Sequence, residues 1–143
     1  MPPGALVVAY IDPYNLSYLS HAIIKELAGL KSIDFAVHFS VFDMSRNVDM
    51  EWSADRARFD DAAPGWRDAI DAQSMSKTQL KQAFFDYWRG LIVAMGFTFS
   101  RQMPLVLNDR NAPVYRLACF SRHALPNKVW DDVAKDPTRD LFS

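Results

Sequence analysis

The sequence predicts an α/β domain built on a mixed sheet, with parallel strands near 5–11 and 33–39 and a C-terminal antiparallel hairpin. Three observations predict it. "ALVVAYI" (5–11) is a short, continuous apolar run, the pattern of a strand covered on both faces, and "IDFAVHF" (33–39) is a second apolar strand. A helix-period stripe lies between them, and strand, helix and strand at this spacing require parallel strands with a right-handed crossover. Later, "FTFSRQMPLVL" and "PVYRLACFS" flank "NDRNA", a turn-forming stretch that reads as a hairpin.

The elements follow in order. The first run reads as a central strand. Ser17 is placed to cap a helix over about 18–29, with Leu19, Ala22, Ile23, Leu27 and Leu30 on one stripe and Gly29 at its end. Residues 43–75 set eight acids against four arginines around the breaker "APGW", which predicts a partly helical, solvated excursion. Ser76 and Gln79 form a capping-box pattern that opens a long helix. Its stripe (Leu80, Ala83, Phe84, Tyr87, Trp88, Leu91, Ile92, Met95) reads as core, Gly90 as a point of close packing, and Gly96 as its end. Pro104 cannot donate to a ladder and marks the first strand of the hairpin, "FTFSRQMPLVL", as edge or broken. Pro126 opens a last short helix carrying Val129, Trp130 and Val133.

Composition bounds the function. The 143 residues suit a single domain with a real core; half are hydrophobic and 23% are charged. A formal charge of −1 excludes coating nucleic acid by bulk electrostatics, while leaving room for a local basic patch. No apolar run approaches the ~20 residues that cross a bilayer, so no membrane partner is expected. "MPPGALVV" lacks the basic start of a secretory signal, and Cys119 is the only cysteine. A cytoplasmic protein without a metal site is the expectation.

In an open parallel sheet, ligands bind beyond the carboxyl ends of the strands. Two such ends are legible: Asp12-Pro13-Tyr14-Asn15, and Ser40 to Asp43. Adjacent parallel strands bring them together. Asp12 can accept hydrogen bonds from an amino group, Pro13 stiffens the turn and Tyr14 can stack on a planar ring. The plainer alternative is a helix-entry turn, with Asp12 bonded to nearby amides and Tyr14 filling a gap. His21 on a helix, His38 in a buried strand and His123 in a loop show no metal-ligand spacing, and Cys119 reads as a small core residue. None of Gly4, Gly29, Gly65, Gly90 and Gly96 clusters into a phosphate or dinucleotide loop.

"YIDPYNLS", "IDFAVHFSVFDMSRN", the tryptophan of "PGWRDAI", the helix ending "VAMGF" and the closing "PVYRLACFSRHALPNKVW" occur in that order through almost the whole chain. Together they resemble the C-terminal half of the three-Cys-motif partner (TcmP) proteins, a methyltransferase-like family. The resemblance implies a partial Rossmann-like, three-layer sandwich of the methyltransferase type. It implies that Asp12, Pro13 and Tyr14 are the acid-Pro-aromatic motif that holds the amino group to be methylated, with Asn15, Ser40 and Asp43 around the substrate. The departures are a single proline before the aromatic residue and Asn15 where the family commonly has glycine. The implied cofactor is S-adenosylmethionine, whose glycine-rich loop and acid belong to the first half of such a sheet. The implied partners are a three-cysteine-motif protein and a missing N-terminal half, or a second copy paired through the first strand.

Three functions follow as expectations. One is a methyltransferase half, inactive alone, acting on nucleic acid or a small amino acceptor. Another is a non-catalytic interaction module. The third is a small magnesium-dependent nuclease using Asp12, Asp43 and Asp49.

Overall fold

The computed structural model describes residues 7–13, 15–53, 59–101 and 103–123. It is an α/β structure on a five-stranded mixed sheet. Strand β1 (Val7–Ile11) leads through a 3-10 turn (Leu16–Tyr18) and helix α1 (His21–Leu27) to β2 (Ile33–Ser40), which runs parallel to β1 in the register Val7↔Ile33 to Ile11↔Val37. Helices α2 (Val41–Ser53), α3 (Trp66–Ala69) and α4 (Lys77–Val93) follow, and then β3 (Thr98–Phe99), β4 (Leu105–Leu107) and β5 (Pro113–Ser121). β5 lies antiparallel to β2 from Phe35↔Phe120 to Ser40↔Tyr115. Its other side is lined by β3 and β4, both antiparallel to it.

Alternation along β2 separates the two faces of the sheet. Ile33, Phe35, Val37 and Phe39 join Ala118 and Phe120 of β5 in the main core, where all four helices add residues: Ile24, Met44, Trp66, and Phe84, Trp88 and Ile92. The opposite face carries Asp34, Ala36, His38 and Ser40, and Ala36 forms a separate small cluster with Leu117 and Cys119. The described residues therefore make two layers, helices and sheet. The partly helical character of 43–75, in its described residues, and the capping box of Ser76 and Gln79 are as the sequence predicts. Gly96 ends the long helix at φ 95°, in the left-handed region. No helix among the described residues is long and apolar enough to cross a membrane.

Several expectations are corrected. β1 is not covered on both faces: Val8 and Tyr10 are each 50% exposed, and among the described residues β1 pairs on one side only. A continuous apolar run looks the same at an edge as at the centre, and Tyr10 tolerates exposure through its hydroxyl. The strand buried throughout is β2. The first helix begins at His21, because Ser20 rather than Ser17 accepts the capping bond, from the Ile23 amide at 3.2 Å. Its inward residues are Ile24, Leu27 and Ala28, while Ala22, Ile23 and Leu30 are exposed. Gly90 is not closely packed; a Cβ there would meet nothing within 4 Å. The 97–107 strand is two short pieces, broken before Pro104, as that proline suggests; the break is bridged by the Leu117 amide on the Pro104 carbonyl at 3.0 Å. The helix expected from Pro126, with Val129, Trp130 and Val133, lies outside the described residues.

Arg122, in the segment most characteristic of the resemblance, has a structural role. Its guanidinium donates to the carbonyls of Ala28 (2.7 Å), Leu30 (3.1 Å) and Met95 (3.4 Å), and lies 4.2 Å from the centroid of the Phe97 ring. One cation thus satisfies carbonyls at the ends of both α1 and α4.

Candidate functional site

The parallel pairing of β1 and β2 brings their carboxyl ends side by side. Because β2 passes directly into α2, Ser40 serves as the helix cap, accepting from the Asp43 amide at 3.2 Å. Asp12, Pro13, His38, Ser40, Phe42 and Tyr115 line a cavity of about 480 Å3 at this end of the sheet, with Val114 beside them. That volume suits a small planar ligand.

The chemistry centres on His38. Its side chain is 5% exposed and Nδ1 lies 3.4 Å from Oδ1 of Asp12, whose own side chain is 60% exposed. Nε2 is hydrogen-bonded to the Tyr10 hydroxyl. Tyr10 and His38 project from the same face of neighbouring strands, which is why they meet. The ring of Tyr115, from β5, stacks on His38 with centroids 4.5 Å apart at 25°. Burial holds the His38 pKa below its ordinary value, and the Asp12 carboxylate opposes that shift without reversing it. Burial, and then the charges of Asp12 and Tyr115, push the Tyr10 hydroxyl up. At neutral pH the ring is therefore neutral. The tautomer that suits both neighbours carries its proton on Nδ1, toward Asp12, and accepts from Tyr10 on Nε2.

The predicted residues divide between site and scaffold. Asp12, Pro13 and Ser40 share the cavity, while Tyr14 lies outside the described residues. Asn15 caps the 3-10 turn, its Oδ1 accepting from the Ser17 amide at 3.0 Å. Asp43 acts as a clasp: Oδ2 accepts from the Leu16 amide at 2.9 Å and Oδ1 from Asn47 Nδ2 at 2.7 Å. Neither Asn15 nor Asp43 lines the cavity. The site residues that sequence reasoning passed over are His38, Tyr10 and Tyr115. A signal existed for the first: 34, 36, 38 and 40 read Asp, Ala, His and Ser, a more polar face within an apolar run.

The arrangement can receive an amino group on an exposed carboxylate braced by a neutral imidazole, with aromatic surface beside it. The turn leaving β1 is Asp12-Pro13, β2 enters α2 without a loop, and Gly29, Gly65, Gly90 and Gly96 all lie in helices or at their ends rather than at strand tips. Among the described residues no three His, Cys, Asp or Glu side chains are grouped to hold a metal ion. Compared with family models, curated proteins and solved structures, the chain finds no match.

Proposed function

We propose that this chain is the acceptor-binding half of a methyltransferase-like domain of the three-Cys-motif partner type, inactive by itself. The observation that carries the reading is the placement of Asp12 and Pro13. The acid leaves a parallel strand, remains largely exposed and lines a cavity where open α/β sheets bind ligands. The strand arrangement supports it: a parallel pair followed by an antiparallel C-terminal hairpin is what the resemblance implies for the second half of such a sheet. So does the pairing of β1, which among the described residues is on one side only, as expected if a strand from the half that carries the glycine-rich loop took the other edge. Joined in that way, the two halves would build the three-layer sandwich, and a three-cysteine-motif protein would meet the completed domain.

Calorimetric titration of S-adenosylmethionine into this chain alone is expected to give no binding. Adding the glycine-rich half of a three-Cys-motif partner protein as a separate chain is expected to restore it. In that complex Asp12→Ala should keep cofactor affinity and slow methyl transfer to RNA or nucleotides by about 100-fold, the scale of losing one preorganised transition-state contact. Cofactor binding by the chain alone, or none by the pair, would overturn the reading.

A further inference from the structure

A second cavity, of about 360 Å3, lies between α2, α4 and the hairpin. Four cations reach it: Lys81 and Arg89 from α4, Arg101 from the break after β3, and Arg116 from β5. Ser45, Thr78 and Gln82 add neutral donors, and no carboxylate is found among its described lining residues. Arg89 is paired with Asp86 at 3.1 Å, and Arg116 donates to the Met103 carbonyl at 3.2 Å. Lys81 and Arg101 have no carboxylate within ion-pair reach among the described residues.

A chain with 17 acids and 16 bases has carboxylates to spare, yet among the described residues none lines this cleft. Converging cations repel one another, and a bound anion removes that cost. Two of the three guanidiniums are also positioned in advance. Arg89 lies 4.2 Å from the Phe99 ring centroid and 5.7 Å from that of Phe85, and Arg116 lies 5.9 Å from Phe85. Planar forks held on ring faces suit phosphate oxygens, and Lys81 supplies a point charge.

Ser40 and Phe42, at the start of α2, line the Asp12 cavity, whereas Val41, Met44 and Ser45 line this one. Tyr115 and Arg116 divide in the same way. Because successive strand residues point to opposite faces, the two cavities lie on opposite faces of the sheet beside the end of β2, one acidic and aromatic, the other basic.

We infer that the basic cavity binds the phosphate of a nucleotide, free or within a strand. The phosphate site does not depend on the proposed acceptor site.

The test is fluorescence anisotropy of the full chain with a short labelled single-stranded RNA, using AMP and inorganic phosphate as competitors. Lys81→Gln with Arg101→Gln alters two side chains that have no ion pair among the described residues, so thermal melting serves as the folding control. The double variant should weaken RNA binding about tenfold and lower the salt-dependence slope by about 1.4, two contacts at roughly 0.7 each for single strands. Displacement of the RNA by AMP or phosphate assigns a free nucleotide, and displacement only by unlabelled RNA assigns a strand. Asp12→Ala should leave the salt slope unchanged, which separates a failure of the acceptor reading from a failure of the phosphate site. No binding of RNA, AMP or phosphate in the millimolar range, or a double variant that binds as tightly as the parent, would overturn the inference.

Discussion

Two acids at the strand ends have opposite fates. Asp43 spends its carboxylate on the Leu16 amide and on Asn47, and so fixes the turn after β1 to the first turns of α2. Asp12 keeps most of its surface and meets His38 with one oxygen. Nothing in the sequence distinguishes them, because the difference lies in which backbone amide the fold delivers to each. His38 carries a testable consequence. Burial lowers its pKa, so below about pH 6.5 the unfolded chain binds a proton that the folded chain refuses. Stability is then full above that pH and falls as the pH drops through the folded value. His21, lowered by burial and by Lys25, acts in the same direction. Urea melts taken from about pH 7.5 down to about pH 5 should show this loss, and His38→Asn should flatten part of it while His21 supplies the remainder.

Among the elements, those governed by local signals were legible in the sequence. The capping box opening α4 and the glycine ending it act within a few residues, so the long helix was readable at both ends. The first helix was misplaced because two serines, Ser17 and Ser20, each offer a cap, and the 3-10 turn uses up the first. The positions of β1 and β2 in the sheet were illegible for a different reason. Both are apolar runs, and only a distant segment, β5, decides which of them becomes central. The site followed the same division: the Asp12-Pro13 turn could be read locally, whereas the approach of Tyr10 and Tyr115 to His38 depends on pairing across three strands. Gly90 gives the test at this scale. It is exposed within α4 and its missing Cβ would meet nothing, so Gly90→Ala should stabilise by about 1 kcal/mol. A rise in the denaturation midpoint at unchanged m-value is the expected result.

At the scale of the molecule, the helices are joined to the sheet through aromatic rings. Trp88 is fully buried, with ring centroids 4.8 Å from Phe39, 5.6 Å from Phe120 and 5.7 Å from Phe85. It touches β2, β5 and its own helix at once. Trp88→Ala should cost about 3–5 kcal/mol, a large share of the stability of a domain this size. Thermal melting should show the loss directly, and Trp88→Phe, which keeps a ring in place, should lose less.

The pairing of β2 with β5 also sets a timetable for synthesis. Residues 35–40 leave the ribosome long before residues 115–120, their partners, have been translated. Until then Phe35, Val37 and Phe39 belong to a strand with one flank bare, and the helices have half a surface to settle on. The nascent chain must remain uncommitted, or be shielded by a chaperone, until nearly all of the described sequence has emerged.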